Sequence, residues 1–182
     1  MSDESTECRD RATRVAVTGT PGTGKSSATE LLADEHGYDV IHLNDRIKQD
    51  DDLWTERDEG RDTLEVDLDA VAEHLGDWSG ILDSHLAHHF DADRVVVLRC
   101  EPAELERRLR ERGESTAKAE ENAESEALDV VLSEAVSTHG MGSVYEIDTT
   151  DRNPDAVADE ICAVVEGERE PSAGTVDFTG YL

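Results

Sequence analysis

Lysine is scarce in this chain, and so are cysteine and long apolar runs. Among 182 residues there are three cysteines, Cys8, Cys100 and Cys162, odd in number and far apart in sequence. That pattern gives neither a metal-binding spacing nor a secreted disulfide framework, and it suits a reducing cytosol. No apolar run approaches the roughly 18 residues of a membrane span. The start Met1-Ser2-Asp3-Glu4 is not the basic and then apolar opening of a signal peptide. The expectation is a soluble, cytoplasmic protein with no membrane partner. Basic residues number 17 against 45 acidic ones, and only Lys25, Lys48 and Lys118 are lysines.

The resulting net charge of −28 has two readings. A disordered acidic chain is one, but regular apolar segments along most of the sequence argue against it. The other is a folded domain whose solvent face is saturated with carboxylates, its self-repulsion screened by concentrated salt. The acids are spread over every helical pattern and not gathered in a tail, which favours a salt-adapted cytoplasm. Such a surface also disfavours tight binding of free nucleic acid at low salt.

What the chain does contain is Gly19-Thr20-Pro21-Gly22-Thr23-Gly24-Lys25-Ser26, which fits G-x-x-x-x-G-K-[ST] without a gap. The short apolar run 14–18 precedes it and a helical pattern over 27–36 follows, the strand–loop–helix context that the motif requires. Glycines allow the backbone to form a nest of N–H groups, and the helix adds the positive end of its dipole. Lys25 can reach β- and γ-phosphates, and the Ser26 hydroxyl can ligate Mg²⁺. The motif implies binding of a nucleoside triphosphate.

Further along, periodicity predicts strands over 38–43, 80–83, 94–99 and 144–147. It predicts helices over 45–49, from Asp67 through Leu75, from Pro102 toward Arg112, over about 117–138, and from Pro154 through Val165. Residues 50–66 are too polar for core and read as a mobile loop or small subdomain. Residues 1–12 read as a flexible leader and 167–182 as a flexible tail. Five β–α repeats with the phosphate loop after the first predict an α/β fold: a three-layer P-loop NTPase architecture on a five-stranded parallel sheet. Ligands then collect at the carboxyl ends of the strands.

Asp83 ends an apolar strand, where a second magnesium-positioning carboxylate belongs. His85, two residues on, can orient a water or a phosphoryl acceptor. His85, His88 and His89 stand at i, i+3 and i+4, but no Cys or Glu completes a convincing metal set, and His88 and His89 read as ordinary polar histidines near a pocket. Arg107, Arg108 and Arg110 read as partners of local glutamates on an exposed helix. Arg112 differs, because Gly113 ends the helix there and lets an arginine swing onto a γ-phosphate. Trp54 and Trp78 read as packing residues.

Taken in order, the glycine loop with Ser27, Ile41-His42-Leu43-Asn44-Asp45, Asp83-Ser84-His85 and Arg112-Gly113 before a long helix resemble the adenylate kinase isoenzyme 6 type family (CINAP-like), including its archaeal members. The resemblance covers about residues 13–166. It implies an adenylate-kinase-like domain with a short monophosphate-binding segment, here about 42–66, and a short lid, here about 111–121. It implies Mg²⁺-dependent transfer of the γ-phosphoryl of ATP to AMP or another nucleoside monophosphate, together with ATP hydrolysis. It also implies a part in late small-subunit ribosome maturation and rRNA processing. The partners would be the immature subunit and a small-subunit ribosomal protein, the eleventh in the universal nomenclature. By motif, Gly22, Gly24, Lys25, Ser26 and Ser27 would bind the phosphates of ATP. Asp83 and Ser26 would serve Mg²⁺, His85 would assist, and Arg112 would close over the phosphates. Of the Tyr and paired lysines expected in the lid, Lys118 alone remains, and Lys48 stands where an arginine is expected. An assembly ATPase that releases a ribosomal partner and a small-metabolite kinase are the alternative readings.

Overall fold

The computed structural model describes residues 13–60 and 63–182; the expected leader, 1–12, lies outside them. Five strands form a parallel sheet: β1 (Arg14–Thr18), β2 (Val40–His42), β5 (Gly80–Asp83), β6 (Arg94–Arg99) and β7 (Val144–Asp148), in the order β2-β5-β1-β6-β7. Apolar side chains occupy both faces of the central strands, so the two-residue period divides them between two cores. Ala16, Val95 and Val97 pack on one side with Leu43, Val71 and Leu132. Val15, Val17, Val96 and Leu98 pack on the other with Leu32, Val157 and Ile161. Helices therefore cover both faces, as a parallel sheet requires. These are α1 (Lys25–Asp34), α2 (Leu43–Gln49), α3 (Leu68–Leu75), α4 (Pro102–Glu111), α5 (Thr116–Ala127), α6 (Val130–His139) and α7 (Pro154–Val165). Asp67 caps α3 by accepting from the Ala70 amide at 3.1 Å, and Asn153 caps α7 from Ala156 at 2.9 Å.

One segment takes the second of its two expected forms, and two others differ from the sequence expectation. In the polar insert, over 50–60 and 63–66, a turn at Asp51–Leu53 leads into an antiparallel pair, β3 (Trp54–Asp58) and β4 (Thr63–Val66), the small-subdomain alternative. Its anchor is apolar, with Leu53 buried and Trp54, Leu64 and Val66 packed against the core.

The long helix expected over 117–138 is two helices. Asp129 between them takes the left-handed conformation, φ 55°, which costs a non-glycine residue about 1–2 kcal/mol. The offset comes from a residue distant in sequence. The break presents the Asp129 carboxylate, and it and the Glu126 carbonyl, which also takes the Asp129 amide, both accept from the Arg99 Nη2.

The segment 167–182, expected to be loose, returns across the sheet edge. The Gly174 and Val176 amides donate to the Glu146 carboxylate, Phe178 lies 5.4 Å from the Arg99 guanidinium, and the Tyr181 hydroxyl donates to Glu106. The physical reason is an unmet buried charge on β7: Glu146 is 1% exposed, and the segment's amides supply donors that the sheet does not.

Arg99 sits at the centre of this arrangement, 1% exposed, with Glu126, Asp129 and Glu146 around it. Removing one partner from a buried ion cluster leaves the others uncompensated. Arg99→Ala is expected to cost about 3–5 kcal/mol in denaturant unfolding. The loss should persist in molar salt, which screens buried charges little. Arg107→Ala, on an exposed i,i+4 pair with Glu111, should cost under about 0.5 kcal/mol. Equal costs for the two would contradict this account.

Candidate active site

The loop between β1 and α1 owes its path to glycines at two positions where nothing larger fits. Gly19 has φ 148°, and a Cβ there would lie 2.6 Å from the Leu98 carbonyl oxygen. Gly22 has φ 94°, and a Cβ would lie 2.9 Å from methyl groups of Leu105 and Leu109 on α4. The Thr20 hydroxyl donates to Glu126 of α5 at 2.6 Å. The Thr23 carbonyl accepts from the Thr149 hydroxyl at 2.9 Å. The loop is thus held from three sides.

Lys25 is the first residue of α1, and its ammonium turns back into this loop. It donates to the Gly19 carbonyl at 2.7 Å and the Thr20 carbonyl at 3.0 Å, with 8% of the residue exposed. Burial pulls its pKa down to about 8, against the opposing pull of Asp83 and Glu126, while Arg112 adds to the lowering. Ser26 and Ser27 follow in the exposed first turn of α1.

Asp83 ends β5, whose register places it opposite Val17 of β1. Its Oδ2 accepts from the Thr29 hydroxyl at 3.0 Å and pairs with His42 Nδ1 at 2.9 Å. Among the described residues Oδ1 has no protein donor, so one carboxylate oxygen is fixed and the other is available. An exposed serine hydroxyl in the first turn of α1 and a carboxylate oxygen left free on β5 fit the donor chemistry of Mg²⁺, which takes few protein oxygens and keeps waters.

His85 follows in the loop after β5. Burial, with Lys25 and the neighbouring His88 and His89 adding to it, holds its imidazole near pKa 4, so it is neutral at pH 7. Of the arginines on and just after α4, Arg107, Arg108 and Arg110 pair with glutamates as expected. Arg112 caps the helix, and its guanidinium makes no hydrogen bond or ion pair among the described residues. It lines a cavity of about 380 Å³ together with Gly22, Gly24 and Ser27.

The structure therefore brings Asp83, His85 and Arg112 within electrostatic reach of Lys25. It also adds residues that sequence reasoning missed. Thr29 and His42 orient Asp83, and Asn44 accepts from the Ser84 hydroxyl at 2.7 Å. Arg108 does more than pair with Glu104: it donates to the Thr149 carbonyl at 3.0 Å and joins Arg152 and Pro154 in the wall of the smaller cavity. A larger cavity of about 960 Å³ lies on the other side of the loop, bordered by Thr20, Pro21, His85, Gly113 and Lys118. No helix among the described residues is long and apolar enough to cross a membrane.

The family described as AAA domain matches residues 15–129. An archaeal protein named "Putative adenylate kinase" from Natronomonas pharaonis is 64% identical over 170 residues, 93% of this chain and 99% of that protein. Its namesake in Halobacterium salinarum is 56% identical over 171 residues, again 93% and 99%. That in Methanocaldococcus jannaschii is 37% identical over 91% of this chain and 93% of its own length. The first two come from halophiles.

The environment of His85 gives a direct check. Its imidazole should titrate near pH 4 in nitrogen-detected NMR, well below the 6.5 of a free histidine. Between those values the unfolded chain binds a proton that the folded chain does not, so this residue's contribution to stability falls as pH drops from 6.5 toward 4. A midpoint at 6 or above would contradict the burial described.

Proposed function

We propose, starting from the fact that this chain belongs to the same family as those archaeal relatives, that it is a nucleoside monophosphate kinase converting ATP and AMP to two ADP. The observation that carries the reading is Arg112: a guanidinium beside the glycine loop that is unpaired among the described residues, in a neighbourhood where every other arginine of its cluster is neutralised. A cation kept free at that place suits the negative charge that develops on a transferring phosphoryl group.

In this reading the smaller cavity takes the donor nucleotide and the larger one the acceptor monophosphate, with the phosphate loop between them. The loop amides and Lys25 hold the β- and γ-phosphates. Ser26 and Asp83 would hold Mg²⁺, which would supply positive charge to offset the negative charge of the phosphate oxygens. Thr29 and His42 keep Asp83 in one orientation. Neutral His85 accepts or relays a hydrogen bond from the attacking oxygen without adding charge. Arg112 turns about Gly113 to meet the phosphoryl group. No covalent intermediate is needed, because positioning and charge supply the acceleration. Water in the acceptor's position gives ATP hydrolysis at the same centre. The cytoplasm, the immature small ribosomal subunit and a basic ribosomal protein are the setting we propose, since 45 acidic residues complement a basic partner.

The test is ADP formation from ATP and Mg²⁺ in molar KCl, with and without AMP. AMP should raise the rate, Lys25→Ala should abolish it, and Arg112→Ala should lower kcat by roughly 10²–10³-fold with little change in KM. A rate indifferent to every nucleoside monophosphate overturns the kinase reading.

A pH dependence follows from Lys25. Its pKa of about 8 in the free protein should rise when phosphate replaces the loop carbonyls as its partner. Binding of ATP then takes up a proton above pH 8, and affinity falls as pH rises from there, by up to about tenfold per unit. Calorimetry in buffers of different ionisation enthalpy measures that proton; zero uptake at pH 9 would contradict it.

A further inference from the structure

We propose that His88, His89 and Glu134 form a binding site for a divalent transition metal of the zinc class, in the wall of the larger cavity and separate from the magnesium ligands. Glu134 Oε2 lies 2.7 Å from His88 Nε2 and 3.7 Å from His89 Nε2, and the three ligand atoms all fall within 4.8 Å of one another. Ligands around a four-coordinate zinc, at about 2.0–2.2 Å from the ion, stand about 3.3 Å apart. The observed separations bracket that value, so small side-chain rotations suffice.

The set is supported from behind. His88 lies in the turn Ala87–His89, 1% exposed, and its carbonyl accepts from His139 Nε2 at 2.7 Å. Its Nδ1 is 2.7 Å from the Thr18 hydroxyl. That hydroxyl can accept from Nδ1–H, which leaves the Nε2 lone pair facing Glu134. A ligating histidine usually has such an outer partner, fixing tautomer and ring direction. Metal entry then needs only a shift of the His88 proton from Nε2 to Nδ1 and a turn of the Thr18 hydroxyl; no proton is released.

Ligand type decides which ion. Two imidazoles and one carboxylate suit Zn²⁺, Co²⁺ or Ni²⁺, whereas Mg²⁺ prefers an all-oxygen octahedron. Three protein ligands leave a fourth position, the open form of a zinc site. His88, His89 and Glu134 all border the cavity that His85 and Lys118 also line, so this position takes water or an anionic oxygen of a bound ligand. The site joins three elements: the end of β1 through Thr18, the loop after β5, and α6. Thr18 immediately precedes the glycine loop, so a bound ion braces the strand end from which that loop departs.

The experiment is a CoCl₂ titration of the chelator-treated full chain in molar KCl with excess Mg²⁺ present. The expected result is the intense visible absorption of four-coordinate Co²⁺, saturating at one equivalent and bleached by Zn²⁺, with a rise in Tm. His89→Ala and Glu134→Gln, neither of them buried like His88, should each weaken binding by about 10–100-fold. Circular dichroism of both variants verifies their fold. Absorption of the weak octahedral type, displacement by Mg²⁺, or affinity unchanged in both variants overturns the site.

Discussion

A single buried guanidinium holds the molecule's parts in register. Arg99, at the carboxyl end of β6, meets Glu126 on α5, Asp129 at the break before α6, Glu146 on β7 and the ring of Phe178. Glu126 in turn accepts from the Cys100 amide and the Thr20 hydroxyl. A phosphate-loop residue is thereby tied to the centre of the sheet and, through Glu146, to the final segment of the chain. In a low-dielectric interior such a network is strong when complete and costly when broken. The position of the loop therefore depends on groups as distant in sequence as Glu146 and Phe178.

The same contrast of paired and unpaired charge organises the site. This protein is dominated by acid, yet around the loop it concentrates cations: Lys25, Arg108, Arg112 and Arg152. Most of them are committed, Lys25 to loop carbonyls, Arg108 to Glu104 and Thr149, and Arg152 to Glu160. Arg112 is uncommitted among the described residues. Asp83 repeats the division within one carboxylate, with Oδ2 fixed by two donors and Oδ1 open among the described residues. A surface rich in carboxylates leaves few ways to attract a polyphosphate at long range. The local cations must do so at short range, where burial and low dielectric strengthen each contact.

Much of this was legible because it is local. The strands Arg14–Thr18, Gly80–Asp83 and Arg94–Arg99 and the helices opened by Asp67, Pro102 and Pro154 follow from apolar period and capping chemistry alone. The glycine motif announced its own loop. What escaped reading depends on partners far apart in sequence. Nothing near Asp129 signals a helix break, because its compensation comes from Arg99. The composition of 167–182 suggests a loose tail, because the need it meets belongs to Glu146. Glu134 is 45 residues beyond His89, so no spacing rule joins them. Thr29 stands in no assigned role in sequence, and His42 belongs to a motif without one of its own; both become informative only once β5 brings Asp83 between their side chains.

The short segment between α4 and α5 limits what motion over the loop can cost. Leu105 and Leu109 of α4 pack with Cys100 and with Ala119 of α5, so both helices are pinned beside Gly22. Only Arg112–Ser115 joins them, and four residues fully stretched span about 14 Å. At Gly113 the backbone has φ 90° and open space on the side where a Cβ would stand, which gives the segment a pivot but no reach. Its backbone is already tied down, with the Gly113 amide donating to the Arg110 carbonyl at 3.0 Å and the Glu114 amide to the Leu109 carbonyl at 3.1 Å, where a long swinging arm would lose about 1–2 kcal/mol for each backbone unit it ordered. Coverage of the loop is therefore a matter of a few torsions and one long side chain. The penalty in lost disorder is small, and so is the shelter from water that it can provide.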